Sequence, residues 1–351
     1  MNPPFEIFHS PGEGFFGVWK KRALHLSILS LFTLIGWLGL PFWLLLAAFF
    51  DLLTGSIPKF SRVRAVLVLL LSLWVESFAV LWAAWVWIYT LGGRTKSRAE
   101  YIKINSRVKN FWMSSLFFGG TYLMGIRLDI EGLEETKNGP FHLWVHHTSS
   151  ADTVISGALV ESRNKIQLRY VLKKELLYLD PCIDIIGRRV LCTYVDRSGS
   201  RSKEAIGQVL ALAEDLYGDT GVIIYPEGTR FSEAKRQKRI EDLESQGKKE
   251  LAEMAAKMRH ILAPRLGGPL GLLQKAPHAD IVFLEHTGLE AMETIGDLFN
   301  GALVGVTLHI RFRRIKAENI PEENRDIWIY EQFMEMDEWI ESYRGQGFDT
   351  V

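Results

Sequence analysis

Residues 143–154 read LWVHHTSSADTV: the end of an apolar run, two adjacent histidines, three small hydroxyl residues and an aspartate. The run suits a buried strand, and the hydroxyls after it suit the start of a helix, where they can cap free N–H groups. His147 stands five residues before Asp152, so a loop that turns into a helix brings the carboxylate on its first turn back toward the ring. A carboxylate that accepts from one ring nitrogen fixes the tautomer and raises the basicity of the other. By itself such a pair also serves as plain structure. A metal site is the rival, with His146, His147 and Asp152 as ligands. A catalytic zinc takes three protein ligands, neighbouring histidines on a strand face opposite ways, and the chain has no H-E-x-x-H and no Cys/His cluster. No metal is expected. No G-x-S-x-G elbow marks a serine nucleophile.

Outward from this stretch, short β-forming runs alternate with helical ones. Strands are expected at 140–146, 167–173, 190–196, 221–226, 279–285 and 303–313, and helices at 150–161, 201–217, 236–262 and 327–344. The class is α/β, with a mixed, mostly parallel sheet flanked by helices. In such sheets functional groups gather where strands end. The densely charged 233–259 stretch reads as a solvated helix whose start, Lys235 to Arg239, can also touch anionic lipid. Cys182 and Cys192 read as buried free thiols. With 41 basic and 41 acidic side chains the net charge is zero and calls for no nucleic-acid partner.

The first 125 residues hold most of the tryptophan and apolar excess. Residues 23–50 contain no Lys, Arg, Asp or Glu, and 65–91 contain only Glu76. Each run exceeds the ~20 residues that cross a bilayer core, so a transmembrane or monotopic helical hairpin is expected before the α/β domain. Gly36, Gly39 and Pro41 would permit a re-entrant break. Trp82, Trp85, Trp87 and Tyr89 fit an interfacial belt. Basic residues flank both runs (Lys20, Lys21 and Arg22 before, Arg94 to Lys109 after) and lean toward a cytoplasmic catalytic face, although Lys59, Arg62 and Arg64 in the loop oppose that bias. Glu76 is a functional candidate or a carboxyl paired inside the hairpin. Residues 99–124 fit a helix on the membrane surface or one packed on the soluble domain. The expected division is a tail at 1–22, a membrane hairpin at 23–95, an interfacial or linking helix at 96–126 and a catalytic domain at 127–351.

Two strand ends supply arginines. VLCTYVDRSGSRS at 190–202 carries Arg197, and IYPEGTRFS at 224–232 carries Glu227, Gly228, Thr229 and Arg230. Guanidinium groups bind phosphate bidentately, and a glycine lets the backbone approach a ligand.

The order H-x4-D, then D-R after a strand, then P-E-G-T-R resembles the glycerolipid acyltransferase family of lysophosphatidic acid (1-acylglycerol-3-phosphate) acyltransferases. The resemblance covers about residues 125–290. It implies His147 and Asp152 as the catalytic pair, and Arg197, with Lys173 or Lys174 nearby, as ligands of the acceptor phosphate. Glu227, Gly228, Thr229 and Arg230 match the acceptor-binding motif. The family's fourth motif usually carries a proline, absent from ADIVFLEHTG at 279–288, so no site residue follows there. The implied reaction moves an acyl group from an acyl-CoA or acyl-carrier-protein thioester to the free hydroxyl of lysophosphatidic acid, with no resident cofactor and with membrane lipids as surroundings. Another lysophospholipid acceptor, or a non-catalytic lipid-binding role, is the alternative. Backbone N–H groups of Thr148 to Ser150 are a candidate oxyanion site, and residues 261–274 are a candidate wall for the acyl chain.

Overall fold

The computed structural model describes residues 14–57, 59–149, 152–195, 202–292 and 294–344. Four long helices come first: α1 (Phe15–Leu38), α2 (Leu40–Leu53), α3 (Ser61–Tyr89) and α4 (Arg98–Met124). A seven-stranded sheet follows, β1 (Arg127–Glu131), β2 (Phe141–Val145), β3 (Gln167–Lys173), β4 (Cys192–Val195), β5 (Thr220–Ile224), β6 (Asp280–Thr287) and β7 (Thr307–Ile315). Its order is β1-β7-β6-β2-β5-β3-β4. The five strands from β6 to β4 run parallel, while β7 is antiparallel to β6 and β1 parallel to β7. The carboxyl ends of β2, β3, β4, β5 and β6 therefore share one edge.

The connecting helices are α5 (Asp152–Ser156), a π turn (Gly157–Glu161) and α6 (Ser162–Asn164), then α7 (Pro181–Ile185), α8 (Ser202–Ala211), α9 (Glu233–Ser245), α10 (Lys249–Lys257), α11 (Gly267–Lys275), α12 (Ile295–Phe299) and α13 (Arg325–Arg344). They cover both faces of the sheet. One core joins Met113 and Phe117 of α4 and Ile155 of α5 to Leu143 and Val145 of β2. The other joins Trp144 and Phe283 to Ala252, Leu272 and Phe333 of α10, α11 and α13. β2 is buried at all five positions, as a central parallel strand should be.

The mixed sheet is as expected, with differences in detail. β1 was not expected: RLDIE offers only two apolar positions and lies at the sheet edge, exposed at every other residue. The 236–262 helix is two helices, parted where Gly247 takes φ +75°. The 303–313 strand starts only at Thr307. Both cysteines are buried and free.

The apolar N-terminus is a bent element followed by a straight one. α1 and α2 meet at 70° across Gly39, and Pro41 sits in the first turn of α2. Asp51 at the end of α2 is fully buried and caps α3, accepting from the backbone N–H of Arg62 and Val63 at 3.1 Å each. α3 is long and apolar enough to cross a membrane, and the α1–α2 pair passes the same criterion only if taken as one broken span.

α4 packs on the catalytic domain instead of lying free at a surface. Lys109 is buried and pairs with Glu161 at 2.8 Å, and a side chain on Gly157 would collide with Met113 Sδ. Glu76 faces out of the hairpin: its carboxylate accepts from Trp112 Nε1 (2.7 Å) and from the Cys182 backbone N–H (2.8 Å). Arg189 donates to the Ala83 carbonyl at 2.7 Å, and Gly301 abuts Ser61 Oγ. From Ser61 to Ala83, about 33 Å at 1.5 Å per residue, α3 thus lies along the domain. Several flanking cations are also engaged in the fold. Lys21 (3.2 Å), Arg22 (2.7 Å) and Arg188 (2.8 Å) converge on Asp184, and Arg64 donates to the Leu123 carbonyl. These charges serve packing, which removes much of the bias read from them.

Candidate active site

β2 ends at Val145, and the chain turns through His146–Ser149 into α5. His147 Nδ1 donates to Asp152 Oδ2 at 2.9 Å. The His147 side chain is 20 % exposed and Asp152 is fully buried. Asp152 also accepts from the N–H of Thr148 (2.8 Å) and of Ser149 (3.0 and 3.2 Å), and from both their hydroxyls at 3.2 Å. Burial alone would raise its pKa. The imidazoles of His286 and His147, together with the Ser149 N–H, more than offset that, and the carboxyl lies below its ordinary value. With Nδ1 committed to Asp152, His147 is left with Nε2 as its free lone pair. The Thr148 and Ser149 amides are spent on Asp152, so the expected oxyanion role fails for them, and Ser150 lies outside the described residues.

The second strand end, after β5, carries Tyr225 to Arg230. Glu227 turns into the protein. It is fully buried, and Oε1 accepts from His146 Nδ1 (2.7 Å) and from the His147 N–H (2.8 Å), while Oε2 accepts from the Leu262 N–H (2.9 Å). Both oxygens are used inside the protein, so its expected place beside the acceptor phosphate is corrected to a tether that fixes the peptide of His147. Burial pulls the His146 pKa down, but Glu227, by charge and hydrogen bond, and the more distant Asp152 and Glu290 carry it upward overall. Gly228 has φ +77°, a region open to glycine, and a Cβ there would lie 3.1 Å from Arg265. Lys235 Nζ donates to Thr229 Oγ1 (3.2 Å) and to the Arg230 carbonyl (2.9 Å). Arg265 and Lys235 thus join the basic end of the motif.

Arg230 and Ser149 line a cavity of about 360 Å³ whose remaining walls are mostly apolar, among them Val68 and Leu69 of α3, Leu116 and Phe117 of α4, and Leu298, Leu303 and Leu308. The expected wall at 261–274 is elsewhere; Ile261, Leu272 and Leu273 pack in the second core. Lys173 and Lys174 stand at the end of β3, two strand spacings or about 10 Å from β2 along the same edge. Arg197 lies outside the described residues.

Sequence reasoning missed three neighbours. The Tyr225 ring sits 4.8 Å from that of His147, and its hydroxyl is 3.1 Å from Thr153 Oγ1. Arg265, inside the 261–274 stretch, was not expected at the site. His286, buried on β6, approaches Asp152 at 3.4 Å. Only the place of Tyr225, beside P-E-G-T-R at a strand end, was a usable signal.

The sheet brings a histidine–carboxylate pair and a basic loop to neighbouring carboxyl ends, and residues 127–266 match the family model described as Acyltransferase. That match covers about two fifths of the chain and agrees with the acyltransferase resemblance read from the motifs. Among solved structures, the fold is similar to that of the 1-acyl-sn-glycerophosphate (LPA) acyltransferase PlsC from Thermotoga maritima. The TM-score is 0.50 at 15% identity, over 79% of this chain and 98% of that one. No curated protein sequence matches.

Proposed function

We propose that this protein transfers a fatty acyl group from an acyl thioester, acyl-CoA or acyl carrier protein, to the free hydroxyl of lysophosphatidic acid, giving phosphatidic acid. The observation that carries the reading is the His147–Asp152 pair at a strand end, in the loop whose Ser149 lines a mostly apolar cavity together with Arg230.

In this reaction His147 Nε2 takes the hydroxyl proton as the oxygen attacks the thioester carbonyl. The tetrahedral oxyanion collapses, the C–S bond breaks, and the departing thiolate takes the proton back from Nε2. Asp152 holds the tautomer and stabilises the transient imidazolium. The thioester is already activated, so no acyl-enzyme and no resident cofactor are required. Arg230, with Lys235 and Arg265 beside it, anchors the acceptor phosphate, a role the motif match gives to Arg197 as well. The cavity takes an acyl chain; its volume falls within the ~300–1,000 Å³ of ligand pockets.

The protein is read as membrane-bound in one leaflet, with its catalytic face toward the cytoplasm and its thioester pool. α3 contacts the catalytic domain over about 33 Å, roughly a whole hydrocarbon core. A helix with protein along one side over that length is not ringed by lipid, which favours the re-entrant arrangement over a span. Trp74, Phe78, Leu81 and Trp85 are exposed and supply the lipid-facing side.

The test is release of free thiol from oleoyl-CoA by purified protein in detergent, with a panel of lysophospholipids and His147→Ala as the blank. Release that requires lysophosphatidic acid supports the reading. Release without an acceptor means thioester hydrolysis. Acceptor-dependent release that prefers another headgroup revises the acceptor alone.

A further inference from the structure

β6 carries a second histidine toward the site, and this inference rests on the proposed role of His147 as general base. β2 and β6 are parallel with Val145 opposite Leu284, which sets His286 beside the loop that holds His147. His286 is fully buried. Its Nε2 lies 3.1 Å from the His146 carbonyl and 3.4 Å from Asp152 Oδ1. A carbonyl only accepts, so Nε2 carries the proton and donates it to the His146 carbonyl, while the ring stands against Asp152 Oδ1. Its Nδ1 has no protein partner among the described residues, which leaves Nε2 as the working nitrogen. The charged or titratable groups facing this ring are Asp152 on α5, His146 at the end of β2 and Glu290 in the loop after β6. Burial, with His146 beside it, outweighs the two carboxylates and holds its pKa below the ordinary 6.5.

Asp152 consequently lies between two imidazoles. His147 takes Oδ2, while His286 approaches Oδ1 and also holds the carbonyl of the peptide that leads into His147. We infer that His286 is a positioning residue for acyl transfer: its Nε2–H, donated to the His146 carbonyl, fixes the plane of the 146–147 peptide, and its ring backs Asp152 Oδ1, so that the free nitrogen of His147 meets the acceptor hydroxyl. It touches no substrate and moves no proton.

Two substitutions separate this from a packing role. His286→Gln keeps an amide N–H near the Nε2 position, whereas His286→Leu keeps bulk and removes the donor. The expected result is a kcat about three- to tenfold lower in His286→Leu, the rate equivalent of one hydrogen bond to a backbone carbonyl. KM for both substrates should stay within about twofold, and His286→Gln should regain most of the rate. The second readout needs no turnover. Carbethoxylation of His147 by diethyl pyrocarbonate, followed by peptide mass spectrometry, reports the nucleophilicity of its free nitrogen. It should slow several-fold in Asp152→Asn and in His286→Leu, and not in His286→Gln. Equal loss in Leu and Gln, or a Leu variant that melts lower but keeps kcat and the modification rate, overturns the inference. Wild-type protein with no thiol release but the same ordering of modification rates would refute the acyl-transfer reading and leave the positioning contact standing.

Discussion

Glu227→Gln is the most informative single substitution, because the motif and the geometry assign this carboxylate different work. In the fold its two oxygens accept three hydrogen bonds, two at Oε1 and one at Oε2, with no exposure to solvent. Glutamine can keep its carbonyl oxygen at the Oε1 position for His146 and His147. Its NH2 group then faces the Leu262 N–H, donor against donor. One buried amide is left unpaired at about 1–3 kcal/mol, and the His146 bond loses its charge assistance at about 1 kcal/mol more. A total of about 2–4 kcal/mol lowers the melting temperature of a domain this size by roughly 4–16 °C. Because the lost bonds hold the peptide of His147, kcat should fall about tenfold or more while KM for the acceptor changes little. The assay is thiol release at varied acceptor concentration, paired with thermal unfolding of the same preparations. A KM for the acceptor raised tenfold, with kcat and melting temperature unchanged, would refute the tether and restore Glu227 to the acceptor.

Other substitutions test other links. His147→Ala should lower turnover about 10²–10⁴-fold, the usual cost of losing a general base, with melting temperature nearly unchanged. Gly228→Ala forces an alanine to φ +77° and a Cβ to 3.1 Å from Arg265; about 1–2 kcal/mol of stability should be lost, and KM for the acceptor should rise. Gly120 lines the cavity and has open space around its missing Cβ, so Gly120→Phe should shift donor preference to shorter chains, by about 0.8 kcal/mol for each methylene displaced. Asp184 is held below its ordinary pKa of 3.8, burial being outweighed by Arg22, Arg188 and Lys21. Its stabilising contribution is therefore full above that value and lost as pH falls through the folded value. Unfolding monitored from pH 6 to pH 3 should show a steep acid limb, and Asp184→Asn should flatten that limb while costing about 3–5 kcal/mol at neutral pH.

The central sheet was legible because β2, β3 and β5 are short β-branched and apolar runs bounded by turn residues. β1 was illegible because an edge strand with two apolar residues has too little pattern to count. The pairing of His147 with Asp152 could be read from spacing, since five residues across a loop and a first helical turn leave little choice of where the carboxylate goes. Nothing local could have shown that Glu227 turns inward. That depends on β5 lying next to β2 and on Leu262 arriving from another segment. His286 was hidden for the same reason: its partner is fixed by the β2–β6 register, and a strand carries no mark of which strand it will pair with. The flanking cations misled because charge along a sequence does not tell a solvated lysine from one, like Lys21, that is bound to a buried aspartate.

The alignment of α3 with the catalytic domain has a kinetic consequence. If a single helix separates the cavity from the lipid phase, the acceptor reaches His147 by diffusing in the plane of the leaflet and never enters bulk water. Turnover should then track the mole fraction of acceptor in the vesicle or micelle and ignore its molar concentration. Adding inert phospholipid at constant acceptor should slow the enzyme as dilution within a surface does, while doubling the buffer volume should leave the rate per enzyme unchanged.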